Sequence, residues 1–261
     1  MSWWPWVRRR RARLREAPLP DAWGALVDAN VPLATRLSVE ERRTLDGLVQ
    51  LFLDDKAFEG CGGLVLTDEI RVTIAAHACL LLVGLEVDLP YPGLDVIRVY
   101  PGTYRARSGE TLGNIRIEGD SHRLGESSRH GYIVLAWDAV RRDATHPGRG
   151  HNVVLHEFAH QLDTADGVAD GAPVLPRGLY GPWARVLGAV YAELQEDVAS
   201  RRTHVLDAYG ATNPAEFFAV ATESFFDEPS ELKRAEPRLY EVMARYYRQD
   251  PATARGSDGS P

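Results

Sequence analysis

The stretch His156-Glu157-Phe158-Ala159-His160 carries residues of types and spacing that can do chemistry. Side chains four apart on an α-helix lie one above the other, so the imidazoles of His156 and His160 face the same way and can grip one metal ion. Glu157, one step round that helix, stands beside the open position on the ion, where its carboxylate takes a proton from water instead of ligating. The pattern is short enough to arise by chance, so its surroundings must decide. Asn152 is a candidate N-cap, and Val153, Val154, Leu155, Phe158, Ala159 and Leu162 make the helix apolar almost all round, hence buried. Histidines and a glutamate on a buried helix need partners, because an unpaired charge there is very costly. Satisfied core histidines are the competing explanation. One divalent ion, zinc above all, accounts for all three residues together.

A catalytic zinc takes a third protein ligand and keeps one position open. No histidine follows His160 within a dozen residues, and the next, His204, lies in a polar turn. A carboxylate from a later helix remains, and Glu216 and Glu223 stand seven apart on one face of the helix that carries Phe217, Phe218, Val220, Phe225 and Phe226. Asn213-Pro-Ala-Glu216 is also a capping box with proline at the first helical position, so Glu216 has a purely structural explanation. Glu223 has one too, pairing with an arginine, and Glu223 with Asp227 fits the Glu-x-x-x-Asp arrangement in which the aspartate orients a ligating histidine. Spacing alone leaves the two glutamates balanced.

Two separated motifs, His156-Glu-Phe-Ala-His160-Gln-Leu-Asp163 and Asp207-Ala-Tyr209-Gly-Ala-Thr-Asn-Pro-Ala-Glu216, resemble in order those of the Mlc titration factor A family of bacterial cytosolic zinc peptidases. The likeness runs through most of the chain, including the Trp-Pro-Trp start, Val96–Pro101, Tyr132–Trp137 and the Gln249-Asp-Pro251 end. The catalytic region is also similar to that of anthrax lethal factor, in which a tyrosine precedes the ligating glutamate by the interval separating Tyr209 from Glu216. The resemblance implies zinc held by His156, His160 and Glu216, Glu157 as general base, and Tyr209 as a hydrogen-bond donor to the oxyanion. Lethal factor has a second acidic residue four after its ligand. That position is Val220 here, so support for the ligands must come from elsewhere, with Asp163 and Glu223 as candidates.

The function expected is zinc-dependent hydrolysis of peptide bonds, aminopeptidase-like on small substrates. The resemblance also implies a regulatory partner, a sugar-responsive transcriptional repressor. The rival function is a zinc-containing binding protein that sequesters a transcription factor with little peptidase activity. Glu157 and Tyr209 argue against binding alone, since neither is needed to hold zinc. Tyr132–Trp137 is a candidate edge strand on which an extended peptide lies by strand addition.

The elements that must position these residues can be read in outline. Ser38-Val-Glu-Glu41 is a capping box that opens a helix with Leu45, Leu48, Val49, Phe52 and Leu53 on one face. Leu64–Leu66 reads as a short strand, Thr67 caps a helix running to about Leu85 with a lone packed His77, and Val96–Tyr100 and Tyr132–Trp137 read as strands. Between the last two, a polar stretch suggests a hairpin around Asn114–Glu118 with His122 and His130 on the surface. After the metal-binding helix come a Gly/Asp-rich loop over Asp163–Pro176 and helices from Gly181, Asn213 and Pro237. The order predicts an α+β, zincin-like domain, mostly helical, with a small mixed sheet packed on the central His-Glu-x-x-His helix. Residues 1–20 read as a mobile arm, 21–249 as a single peptidase domain and 250–261 as a disordered tail.

The 261 residues carry a net charge of -7, which gives no support for direct nucleic-acid binding across the surface despite the local run Arg8–Arg11. Two cysteines make neither a disulfide framework nor a four-thiolate zinc site. The longest apolar run, Ile74–Leu85, is interrupted by His77 and too short to span a bilayer, and no apolar segment follows the N-terminal arginines as an export signal requires. A cytoplasmic protein with no membrane partner is expected.

Overall fold

The structure, a computed structural model, describes residues 5–102, 104–105, 111–112 and 131–253. The expected hairpin around Asn114–Glu118, His122, His130 and tail residues 254–261 lie outside the described residues.

Helix α3 (Val39–Asp55) begins at the expected capping box: the Ser38 hydroxyl accepts from the Glu41 amide and the Glu41 carboxylate from the Ser38 amide. Helix α4 (Asp68–Leu80) is capped by Thr67 and buried along almost its whole length. Strand β1 is Ala57–Gly60, not Leu64–Leu66 as the sequence suggested. The chain leaves α3 directly into the sheet, then reverses at Gly62 and Gly63, both with positive φ, so that residues 64–66 fold back beside β1.

Strands β2 (Val96–Tyr100) and β5 (Tyr132–Ala136) complete a three-stranded sheet of order β1-β2-β5, with Phe58 opposite Ile97 and Ile97 opposite Ile133. Both pairings are parallel, which corrects the expected mixed sheet. The reason is the connection: β1 reaches β2 through α4, and a helical crossover returns the chain in the same direction. An antiparallel pair, β3 (Tyr104–Arg105) with β4 (Thr111–Leu112), stands apart as a second sheet. As expected, β5 is at the edge of the three-stranded sheet among the described residues.

Helix α5 (Trp137–Thr145) follows β5 directly, and the central helix α6 covers Val153–Asp163. Phe158 on the buried face of α6 packs on Phe52 and Tyr91, with ring centroids 5.6 and 4.7 Å away, and so ties α6 to α3 and to the turn before β2. Helix α7 (Tyr180–Ala199) leads through a 3-10 turn at Ala208–Ala211 into α8 (Pro214–Asp227), whose residues from Glu216 to Phe226 are all buried. The short α9 (Pro229–Ala235) and α10 (Pro237–Tyr247) close the fold, Tyr247 stacking on Phe225 and bonding Thr222 at 2.8 Å.

Inside the stretch read as an arm, Pro5–Glu16 form α1, and α2 (Asp21–Asn30) follows. Arg10 and Arg11 of α1 pair with Asp54 and Asp55 of α3. The Gln50 amide donates to the carbonyls of Leu14 and Ala17 at 3.1 and 2.7 Å. Gly47 permits this approach, since a Cβ there would lie 2.4 Å from the Arg15 carbonyl oxygen. Two arginines of the run thus meet acidic residues of the chain's own surface beside the closer contacts at Gln50 and Gly47. At the other end, residues 250–253, read as the start of the tail, form a turn in which the Tyr240 hydroxyl bonds Asp250 and accepts from the Ala252 amide.

Candidate metal centre

Asn152 caps α6, its Oδ1 accepting from the amides of Val154 and Leu155 at 3.1 Å each. The amide of Val153 goes to Asp143 of α5 at 3.0 Å, and that of Asn152 to Glu223 of α8 at 2.6 Å. Four amides at the start of this helix are therefore held by side chains, which fixes its position against two neighbours.

His156 and His160 project from one face of α6 as their spacing requires, with ring centroids 4.9 Å apart. Glu216, in the first turn of α8 and 1% exposed, points its carboxylate at them: Oε2 lies 3.0 Å from His156 Nε2 and 3.4 Å from His160 Nε2, and the two Nε2 atoms are 3.3 Å apart. The side chain of Asn213 caps α8 by accepting from the Glu216 amide at 3.0 Å, so the glutamate's carboxylate is free of the cap and turned to the histidines. His156, His160 and Glu216 thus form a buried group able to hold a metal ion.

The geometry fits such an ion. Two ligands each 2.0–2.1 Å from a tetrahedral zinc lie about 3.3 Å apart, close to all three separations here. His156 Nδ1 is 2.6 Å from Glu223 Oε1; the carboxylate accepts, so Nδ1 carries a proton and Nε2 is the ring atom left for the ion or, without one, for a proton that Glu216 Oε2 accepts. Electron-pair donors packed this closely in a buried site require positive charge among them. Burial alone would raise the Glu216 pKa, but hydrogen bonds and charges from His156 and His160 hold it down at about 2. His156 is displaced the other way, well above the usual histidine range, burial being outweighed by Glu223 and Glu216.

Glu157 is half-buried beside the pair. Burial pushes its carboxyl up against the pull of His156 and His160, with Glu216 and Glu223 adding to the rise. The Tyr209 ring lies 6.1 Å from that of His156, on the 3-10 turn before α8, whose backbone is set by Asp207 Oδ1 accepting from the Tyr209 amide. Glu223 is 2% exposed and serves three groups: His156 Nδ1, the Asn152 amide and His151 Nδ1 at 2.8 Å. Burial is again outweighed, here by His156 and His151, and the Glu223 pKa is lowered.

Asp163 is fully buried at the end of α6 but hydrogen-bonds neither histidine. Its carboxyl is pushed up to about 6 by burial despite nearby backbone amides and His160. His151 is the residue that motif reasoning passed over. It stands outside the His-Glu-x-x-His spacing, and only its place beside the cap Asn152 marked it.

A family model described as glucose-regulated metallo-peptidase M90 matches residues 4–248. An uncharacterized protein of Synechocystis sp. is 42% identical over 249 residues, covering 94% of this chain and 90% of the relative. Mlc titration factor A of Edwardsiella ictaluri is 32% identical over 258 residues, 95% of this chain and 93% of the relative. Mlc titration factor A of Klebsiella pneumoniae is 30% identical over 261 residues, 98% and 95% of the two chains.

Proposed function

The chain belongs to the family of glucose-regulated metallo-peptidases M90, and from that membership we propose that it is a zinc-dependent peptidase in which His156, His160 and Glu216 hold the ion. The observation that carries the reading is the set of separations between the three donor atoms, 3.0, 3.3 and 3.4 Å, with His156 Nδ1 held by Glu223.

Zinc bound there would supply a Lewis acid for the scissile carbonyl and ease deprotonation of the attacking water. The Glu157 carboxylate takes the water's proton and passes it to the leaving amine nitrogen. Glu223 fixes the ring of His156 and the tautomer that leaves Nε2 free for the ion. The Tyr209 phenol, on the side of His156, donates to the oxyanion formed at the carbonyl oxygen. Strand β5, at the edge of the sheet, lays an extended substrate beside the centre by strand addition. The substrates we propose are short peptides, cut in the manner of an aminopeptidase, in the cytoplasm.

A regulatory function is favoured by the relatives named Mlc titration factor A. We extend to this chain the binding of a sugar-responsive transcriptional repressor of the Mlc kind, alongside peptidase activity.

Glu157→Gln tests the enzymatic reading, because a general base acts on water without holding the ion. The variant should retain about one zinc per chain and lose roughly 100-fold or more in turnover of amino-acid and peptide anilides. Undiminished turnover would remove Glu157 from the mechanism. His156→Ala and His160→Ala should lose the zinc, and retention in both would remove the centre itself.

A further inference from the structure

One oxygen of the Glu223 carboxylate meets the ring of His156, and the other meets a histidine at the surface. His151 has 60% of its side chain exposed against 2% for Glu223, and its Nδ1 lies 2.8 Å from Glu223 Oε2. We infer that His151 is a positioning residue of the metal centre: by donating to Oε2 of Glu223 it keeps Oε1 on His156 Nδ1 and so holds that ring at the ion. The inference rests on the reading of His156 as a zinc ligand.

The bonding of Glu223 sets this role apart from compensation for burial. Oε1 takes one donor, His156 Nδ1 at 2.6 Å, while Oε2 takes two, the Asn152 amide at 2.6 Å and His151 Nδ1. The Asn152 amide already satisfies Oε2, so a second donor is not needed to cover a buried charge. What the second donor adds is direction. The terminal torsion of a glutamate is broad and only loosely confined to preferred values, so a carboxylate with one donor on each oxygen can still tilt. A third donor, arriving at Oε2 from another residue, fixes its plane. Because the carboxylate accepts, His151 Nδ1 carries a proton, in the neutral ring as in the charged one.

The chain around His151 is held to make this bond. The Gly150 amide donates to Asp227 at 2.8 Å and the Asn152 amide to Glu223, so the residue is fastened on both sides to carboxylates of α8. Gly150 has a φ of +65°, and a Cβ there would lie 2.5 Å from Glu228 Oε2, so the turn that presents His151 to Glu223 calls for glycine. With its backbone fixed in this way, an exposed histidine has little freedom left to lose in bonding.

Zinc titrations of the parent, His151→Leu, His151→Asn, Glu223→Gln and the double variant His151→Leu/Glu223→Gln test the inference. His151→Leu should weaken zinc by about tenfold. His151→Asn, whose Nδ2 stands on Cγ as the imidazole Nδ1 does, should restore the parental affinity. An amide has a single oxygen and cannot be held at one oxygen while holding His156 with the other. In the Glu223→Gln background, His151→Leu should therefore cost about twofold at most. Parental affinity in His151→Leu, failure of asparagine to restore it, or an equal loss in both backgrounds would each overturn the inference and leave the zinc reading standing. A parent that binds no zinc would overturn that reading, and the inference with it.

Discussion

Glu216 and Glu223 lie on one face of one helix and differ in what they meet. Two turns of helix, about 10 Å of rise, separate them, and His156 spans the gap: its Nε2 faces Glu216 at 3.0 Å while its Nδ1 meets Glu223 at 2.6 Å. In the proposed centre one carboxylate would ligate and the other orient. Glu216→Gln should lower zinc affinity by orders of magnitude, and Glu223→Gln by the roughly 10–100-fold typical of a residue that holds a ligand in place. Zinc titrations on the two variants compare them, and a larger loss at Glu223 would reverse the assignment. The sequence left the pair balanced because helical spacing says which residues share a face and nothing about which end of that face the partner helix meets. Likeness to a family tipped the reading to Glu216. The same limit hid His151, whose bond to Glu223 is a tertiary contact between residues 72 apart in number.

At the scale of elements, α8 is what holds the centre together. Glu216, Glu223 and Asp227, at offsets of seven and eleven, fall within a narrow stripe of the helix. Glu216 meets the ligating face of α6 and Glu223 takes the Asn152 amide, while Asp227 accepts from the amides of Gly148, Arg149 and Gly150 at 3.0, 2.8 and 2.8 Å. The loop entering α6 is therefore fastened to α8 by two carboxylates one turn apart. Asp227→Ala leaves three amides without their acceptor and should cost roughly 1–3 kcal/mol, less than a fully buried loss because water reaches part of the loop. Freed at that end, the loop holds Glu223 less firmly, so zinc affinity should also fall, by about tenfold. Urea unfolding and zinc titration measure the two effects. A variant unchanged in both would show that the Glu223 contacts alone fix the loop. Asp227 was singled out in the sequence as a residue that orients a histidine, whereas it binds backbone; residue type and spacing cannot tell an imidazole from a row of amides.

Across the whole molecule, what was legible followed from local signals. The capping box at Ser38, the cap at Asn213, the apolar periodicity of α3 and the β-branched runs of β2 and β5 placed those elements near their observed bounds. Strand direction, and the docking of α1 on α3 through Gly47 and Gln50, depend on which distant segments meet, and no local signal carries that. His77 was read as a lone packed histidine, and it is one, with a consequence for the stability of the entire fold. Burial holds its pKa down at about 4, outweighing the Thr73 carbonyl and Asp227. Below about pH 6.5 the unfolded chain takes a proton that the native chain refuses until about pH 4, so stability present above pH 6.5 is lost as the pH falls through that window. From pH 7.5 to pH 5 the loss attributable to this one group is roughly 2 kcal/mol. His77→Phe removes the titration, and the variant should lose about that much less than the parent over the same interval. Urea unfolding of both metal-free proteins at the two pH values gives the difference, since the histidines of the centre contribute equally to each and cancel. Parallel losses would mean that His77 is protonated as readily in the fold as in the unfolded chain.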